Sequence, residues 1–421
     1  AAGADARHDA GPRRARIDEA LAILAAGEGA AIDALLDEVA WTEGWPLHEG
    51  TRWLFATRWV DAPPRVSLVG HVNGWSPDAH PATRAASGVH FWALLDDAEF
   101  AVPAEGAKYK WWGAPDVWRA PPEATAYGND EFGEFGWVRP PRDAPHLERF
   151  PALRSAFLEA PRTVRVFVPA GLLPHSAAAT RARTLLLHDG QNVFNPDAFF
   201  GGWQVDRTLE REGYRDVLAI AIDNAPDRVD AYTHVPDRIS GRTVGGRAAD
   251  YLRLITEEVL PFVRARYGVA AEGRSLMIAG SSLGGLVSLW IASQRPTLAG
   301  CVAGLSSTLG WGSIGLPGGE ATLIARWRGR LPVAIYLDSG GGPGTTGCVD
   351  ADGDGIRDDG DGSDNFCETV QMRDVLRAAG YAEGADLHYF AELGAPHNES
   401  AWRARFPRAL AACSRSGWAP P

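Results

Sequence analysis

Hydrophobic and polar positions change rhythm three times along this chain of 421 residues. From Arg14 to Ala40 the apolar residues fall at helical spacing, with Ile17, Leu21 and Leu24 followed by Ile32, Leu35 and Leu36. Gly27 and Gly29 interrupt the run, so the pattern predicts two short helices. From Thr51 to Val138 the texture shifts to short runs: TRWLFATRWV, RVSLVGHV, GVHFWALL and AKYKWW. Turn clusters such as APPRV and NGWSPD separate them, as in an antiparallel β-sandwich. A Pro/Arg stretch follows, Arg139-Pro140-Pro141-Arg142. Beyond it continuous apolar strands (TVRVFVP, RTLLLHDG, DVLAIAID, SLMIAGSS, GCVAGLSS, PVAIYLDSG, DLHYFAEL) alternate with amphipathic helices at 248–266 and 367–379. That alternation is the mark of a doubly wound, mostly parallel sheet. The predicted organisation is a helical segment over 1–44, an all-β immunoglobulin-like sandwich over 45–140, and an α/β domain over 141–421.

The stretch SLMIAGSSLGGLVSLWIAS carries the strongest chemistry. A buried strand runs into Gly280-Ser281-Ser282-Leu283-Gly284 and then a helix, which is the G-x-S-x-G nucleophile elbow in its strand–turn–helix setting. Only Ser282 has glycines two positions away on both sides. The elbow lifts a serine hydroxyl above the sheet and leaves the backbone N–H of Leu283 free to stabilise an oxyanion. A helix-capping serine among packing glycines is the plainer alternative, and the context favours catalysis.

A serine hydroxyl needs a base, and the base needs an acid to orient it. In α/β-hydrolases these partners follow in the order acid, then histidine. His397 lies in Gly394-Ala395-Pro396-His397, just past the last predicted strand, whereas His388 lies within that strand and reads as packed. For the acid, Asp338 ends the preceding strand and Asp364 lies where a long insertion re-enters the fold; the residues alone leave both open.

The insertion has chemistry of its own. Asp350, Asp352, Asp354, Ile356 (through its carbonyl), Asp358 and Asp361 stand where an acidic Ca²⁺ loop places its ligands, with Gly355 at the sharp turn. Such a density of carboxylates repels itself unless a hard cation neutralises it. The loop lacks the flanking helix pair and the terminal Glu of an EF-hand and is more similar to the loops of thrombospondin type 3 repeats. The alternative is a disordered acidic loop. A structural Ca²⁺ is the expected cofactor, and none is expected for the chemistry. Cys348 and Cys367 bracket the insertion at 348–367, where a disulfide would remove much unfolded-state entropy. Cys301 and Cys413 form the second, weaker candidate pair.

With these residues in view, the C-terminal part of the chain resembles the putative-esterase family of α/β-hydrolases, which includes enterochelin, feruloyl and acetyl-xylan esterases. The resemblance rests on HDGQNVF after a strand, AIDNAPDRVDAYTHVP, GSSLGG, YLDSGG with SDN, and GAPHNESAWRARFPRAL. It implies that Gln191 offers a second main-chain N–H to the oxyanion, and it carries nucleophile and base onto Ser282 and His397. The family's acid follows a Gly shortly after the strand. Placing the insertion at that point favours Asp364 over Asp338. Residues 51–138 resemble the early-set sandwich that precedes isoamylases and some enterochelin and feruloyl esterases, a module similar to carbohydrate-binding ones. Trp75, Trp111 and Trp112 are its candidate stacking residues.

Charge narrows the partners. The formal net charge is −12, which argues against nucleic acid and anionic membrane as partners. No apolar run is long enough to cross a bilayer. The start, AAGADARHDAG, lacks a Met, and together with the cysteines it predicts a secreted or periplasmic protein whose signal peptide has been removed. The reading is a serine esterase acting on a small-molecule or polysaccharide-linked ester, enterochelin esterase-like or feruloyl/acetyl-xylan esterase-like. An enterochelin-type substrate would call on loop arginines such as Arg228, Arg238 and Arg242. The alternatives are an acyltransferase, an aryl polyester hydrolase, and a non-catalytic carbohydrate-binding protein on a hydrolase scaffold. No pattern in the chain sets an oligomeric state.

Overall fold

The break read at Gly27 is where the first helix stops. Helix α1 (Ile17–Ala26) gives way to α2 (Gly29–Trp41) through Gly27, whose φ of +75° and close approach to Ala86 both exclude a side chain. The computed structural model describes residues 17–360 and 362–421, and the chain divides into two compact units, Ala1–Ala152 and Leu153–Pro421.

The first unit is rich in β-structure. One antiparallel sheet takes β1 (Leu47–Glu49), β2 (Arg52–Arg58), β4 (Thr83–Arg84) and β5 (His90–Asp96) in the order β1-β2-β5-β4. A second contains β3 (Val66–Gly70), β6 (Lys108–Gly113), β7 (Val117–Arg119), β8 (Ala126–Asp130), β9 (Gly133–Trp137) and β10 (His146–Leu153), in the order β10-β8-β9-β6-β3 with β7 on β6. Trp53, Phe55 and Phe91 of the first sheet share a core with Val66, Leu68, Tyr109 and Trp111 of the second. On its other face β2 offers Leu54 and Ala56 to the helices, against Ile17, Leu24, Ile32, Leu36 and Val39. Both faces of β2 are therefore covered, which is why Trp53 to Thr57 are buried without alternation.

Two sequence boundaries shift. Within the segment 1–44, the described helices are not separate, because the apolar stripes of α1 and α2 share one core with Trp45, Leu47 of β1, Leu54 and Ala56 of β2, and Ala85. The unit ends at 152 and not 140, because β10 lies beyond the Pro/Arg stretch and pairs with β8 through Leu147–Tyr127 and Glu148–Ala126. Trp111 and Trp112 are buried, Trp111 wholly, so these two rings pack the unit and do not open to a ligand.

The second unit is built on β11 (Arg162–Val168), β12 (Arg183–His188), β13 (Val217–Ile222), β16 (Gly273–Ser281), β17 (Ala299–Leu305), β18 (Ala334–Ser339) and β19 (Leu387–Ala391). They lie in the order β11-β13-β12-β16-β17-β18-β19; β11 is antiparallel to β13 and the rest are parallel. Between them run α3 (Val205–Arg211), α4 (Arg228–Tyr232), α5 (Ala248–Arg253), α6 (Leu260–Tyr267), α7 (Leu283–Gln294), α8 (Leu323–Arg326), α9 (Phe366–Ala378) and α10 (Glu399–Ser416). A wider helical turn, Leu254–Val259, joins α5 to α6, and a hairpin of β14 (Pro236–Ile239) and β15 (Arg242–Gly245) stands apart.

Strand order runs outward from β12 to β13 on one side and from β12 to β16 on the other. The carboxyl ends of β12 and β16 therefore flank a topological switch point, where open α/β sheets leave a crevice for ligands. Those ends carry HDGQ and GSSLG. Disulfides join Cys301 of β17 to Cys413 of α10, and Cys348 to Cys367 across the insertion. Among the described residues no helix is long and apolar enough to cross a membrane.

Candidate active site

Strand β16 is buried from Ser275 to Ser281 and is followed by a residue that does not continue it. Ser282 has φ 55° and ψ −126°, a conformation costly for a residue with a Cβ, and its side chain does not cap α7. Small residues make the turn possible. A Cβ on Gly280 would collide with the backbone of Gly284, and one on Gly285 with Ser307. The turn is held by Ser282 N–H donating to Leu305 O at 3.0 Å and Thr308 N–H donating to Ser282 O at 3.2 Å. Leu283 opens α7, so its N–H has no partner within the helix.

The loop after β19 places His397 with its ring half-exposed and edge-on to Trp402, centroids 5.0 Å apart. Its Nδ1 lies 2.6 Å from Asp364 Oδ1. The carboxylate requires a donor, so Nδ1 carries the hydrogen and Nε2 is left as the basic nitrogen. Asp364 is buried, and its Oδ2 accepts from Ser306 Oγ at 2.7 Å and from Gly340 N–H, with Arg405 Nη2 at 3.5 Å. Asp364, Asn365 and Ser306 all have positive φ (56°, 53° and 45°), so backbone strain gathers around this carboxylate.

Asp338 is spoken for elsewhere. Its Oδ1 accepts from Arg405 Nε at 3.1 Å and its Oδ2 from Tyr336 OH at 3.0 Å. Burial pushes its carboxyl up to about 6 against the pull of Arg405. The alternative acid is thus an anchor for Arg405, whose Nη2 also donates to Ser306 Oγ at 2.7 Å.

At the end of β12, Asp189 turns the chain with φ 57° and begins the short turn Gly190–Asn192. Its carboxylate takes Arg228 Nε and Nη2 at 2.7 and 2.9 Å. Gly190 sits against Asp223 with no room for a Cβ. Gln191 Oε1 accepts from Asn224 N–H at 3.0 Å, which fixes the residue whose main-chain N–H the sequence singles out. His188 is fully engaged below the turn, with Nδ1 at 2.9 Å from Tyr251 OH and Nε2 at 3.0 Å from Ser288 Oγ. Burial pushes its imidazole down to about 4, so it stays neutral.

Several residues at the site went unassigned in the sequence. Thr308 Oγ1 lies 3.3 Å from Ser282 Oγ, Glu399 Oε1 accepts from Asn192 Nδ2 at 3.1 Å, and Arg405 joins both aspartates. Trp402 and Arg405 stand on one face of α10 at i, i+3, but the run ESAWRARF alone does not say what that face meets.

In the acidic loop the carboxylates of Asp350, Asp352 and Asp359 converge, with ligand atoms within 4.8 Å of one another. This differs from the spacing-based set. Asp358 turns inward towards Gly310 and Glu368, and Asp354 Oδ1 accepts from Ile356 N–H at 2.7 Å. Ile356 is buried through its side chain, and Asp361 lies outside the described residues. The loop closes by Asp359 Oδ2 accepting from the N–H groups of Ala351 and Asp352, which brings the residue after the expected one into the cluster.

A doubly wound sheet, a strained serine between strand and helix, and a histidine–carboxylate pair after later strands define an α/β-hydrolase. Residues 155–413 match the profile of the family described as Putative esterase, and the chain belongs to that family. A curated relative, the uncharacterized protein YbbA of Bacillus subtilis (strain 168), is 27% identical over 127 residues, 29% of this chain. The chain spans 48% of that protein's length. Among solved structures, the enterobactin esterase FES from Shigella flexneri is 16% identical, with 86% of this chain and 93% of that one covered and a TM-score of 0.44. A ferulic acid esterase is 15% identical over 65% and 98% of the two chains, TM-score 0.43. An IroE-like serine hydrolase from Shewanella oneidensis is 16% identical over 63% and 78%, TM-score 0.46.

Proposed function

We propose that this esterase works through Ser282 as nucleophile, His397 as base and Asp364 as the acid that orients it. The observation that carries the reading is the 2.6 Å contact between His397 Nδ1 and Asp364 Oδ1, in a chain whose Ser282 holds the elbow conformation. In acylation Ser282 Oγ bonds to the ester carbonyl carbon as His397 Nε2 takes its proton. The carbonyl oxygen gains the electron pair, facing the N–H groups of Leu283 and Gln191. The intermediate collapses, and the alcohol leaves with the proton from His397. Water then repeats the sequence on the acyl-enzyme and releases the acid.

The substrate class we infer is a feruloyl- or acetyl-type ester and not a polyanionic catecholate lactone. Arg228, one of three candidate cations for a catecholate, is committed to Asp189. The exposed Phe199 and Phe200 lie on the loop that Arg403 of α10 ties down through Gly201 O and Gly202 O, an apolar surface suited to an aryl ester. The early-set reading of the β-rich first unit stands as part of this proposal. So does a secreted or periplasmic location, which the two disulfides support.

We also propose a structural Ca²⁺ held by Asp350, Asp352 and Asp359. Three carboxylates brought together at the surface make an oxygen donor set suited to a hard cation. The ion would brace the insertion between β18 and Asp364 and would supply no catalytic chemistry.

The test is hydrolysis of p-nitrophenyl acetate, methyl ferulate, feruloylated sugars and a catecholate lactone by wild type and Ser282→Ala. We expect Ser282→Ala to lose all turnover and wild type to favour the feruloyl and acetyl esters. Turnover surviving in Ser282→Ala would overturn the nucleophile, and preference for the lactone would overturn the substrate class.

A further inference from the structure

The loop after β17 runs from Ser306 to Gly312 beneath the site. Every residue from Cys301 to Gly312 is buried except Thr308, which alone opens towards solvent, as Ser282 does. Thr308 is also the side chain beside the nucleophile, with Oγ1 at 3.3 Å from Ser282 Oγ, while its own N–H donates to Ser282 O at 3.2 Å. It is therefore registered to the elbow through both main chain and side chain.

Donor and acceptor accounting gives this contact a direction. Asn365, next to Asp364, places Nδ2 at 2.8 Å from the carbonyl oxygen of Ser306 and at 3.4 Å from Thr308 Oγ1. A carbonyl oxygen can only accept, so the amide nitrogen of Asn365 must face it, and the second hydrogen of that NH₂ goes to Thr308. Thr308 Oγ1 thus accepts from Asn365. Its own hydrogen is free, and Ser282 Oγ is the acceptor within reach among the described residues. Ser282 in turn keeps its proton for His397.

We propose that Thr308 is a further catalytic residue, donating a hydrogen bond to Ser282 Oγ, and that Asn365 is the positioning residue that fixes the direction of that bond. The proposal rests on the Ser282–His397–Asp364 reading. Its effect falls where Ser282 Oγ carries negative charge. In deacylation water bonds to the acyl carbon and passes its proton to His397. The carbon–Oγ bond then breaks with its electron pair going to Oγ, which takes the proton back from His397. A donor aimed at Oγ stabilises the departing oxygen and holds it where the next substrate arrives.

The experiment compares Thr308→Val, which keeps the shape and removes the hydroxyl, with Thr308→Ser, which keeps the hydroxyl. Steady-state hydrolysis of a p-nitrophenyl ester should show Thr308→Val about tenfold lower in kcat with KM and Tm unchanged, the factor that one hydrogen bond of ordinary net strength supplies. Thr308→Ser should stay near wild type. Asn365→Gly, which suits the φ of 53° at that position, should lower kcat in the wild-type background and change nothing further in the Thr308→Val background. A kcat for Thr308→Val within twofold of wild type, Thr308→Ser as slow as Thr308→Val, or additive effects of Asn365→Gly would each overturn the proposal. If Thr308→Val does not fold, Thr308→Ala against Thr308→Ser decides the same point. Failure here is distinct from failure of the triad, because only the latter leaves Ser282→Ala active.

Discussion

Replacing each of the two candidate aspartates by asparagine separates chemistry from architecture. In Asp364→Asn the three donors around Oδ2 (Ser306 Oγ–H, Gly340 N–H and Arg405 Nη2) demand that the amide oxygen face them. The NH₂ then faces His397 Nδ1, which must accept, so the imidazole hydrogen moves to Nε2, the nitrogen that should take the proton of Ser282. The wrong tautomer costs about 10³–10⁴ in kcat, or roughly 4–5.5 kcal/mol of barrier. The fold should tolerate the change, since every donor keeps an acceptor. In Asp338→Asn the amide still satisfies Arg405 and Tyr336, but a wholly buried ion pair loses its negative charge. Breaking such a pair costs about 3–5 kcal/mol, and the lower figure applies because Asp364 and Glu392 still face Arg405. For a unit of this size that is roughly 6–12 °C in Tm. The assay is kcat on a p-nitrophenyl ester beside a thermal melt for both variants. A normal kcat in Asp364→Asn, or a thousandfold loss in Asp338→Asn with an unchanged Tm, would refute the reasoning.

Two further outcomes follow from the same contacts. Burial holds His188 down at about 4 from its usual 6.5, so the folded state binds fewer protons than the unfolded chain between those values, and this stability is full above pH 6.5 and lost as pH falls towards 4. Urea melts should show that His188→Gln, though destabilised at pH 7, loses about 2.7 kcal/mol less than wild type on going to pH 4.5; an equal loss in both would count against a buried neutral histidine. Ca²⁺ at about a hundred times its Kd should stabilise the protein by about 2.7 kcal/mol, EGTA should reverse the gain, and Asp352→Asn should abolish it. A Tm indifferent to Ca²⁺ and EGTA would remove the metal from the account.

The parts of this molecule that were legible in the sequence are those in which local pattern and tertiary role coincide. Strands β12, β13, β16 and β17 read as continuous apolar runs because both faces of a parallel sheet are covered. The elbow was legible because a Cβ on Gly280 would meet the backbone of Gly284 and one on Gly285 would meet Ser307, and that demand is written within a few residues of Ser282. His397 was legible as a histidine just past a final strand. The split at Gly27 was legible because only glycine fits there.

What the sequence could not supply were meetings between residues far apart in the chain. Asp338 and Asp364 are both plausible acids by position; Arg405, 67 residues beyond Asp338, claims it and leaves Asp364 to His397. The unit boundary moved because β10 finds β8 across a proline-rich stretch, and the carboxylate cluster differs from the spacing-based set because Asp359, not Asp358, folds back onto Ala351 and Asp352. Thr308 has no motif of its own; only the return of β17 beside β16 sets it against Ser282. The sequence by itself determined the α/β class of the second unit, the elbow turn around Ser282 and the place of His397 past the last strand, since periodicity and steric demand act over a few residues. Which aspartate meets His397, which carboxylates converge in the loop and which hydroxyl lies beside Ser282 were decided by the tertiary structure, because hydrogen bonds and ion pairs are allotted among competing partners only once the chain has brought them within reach.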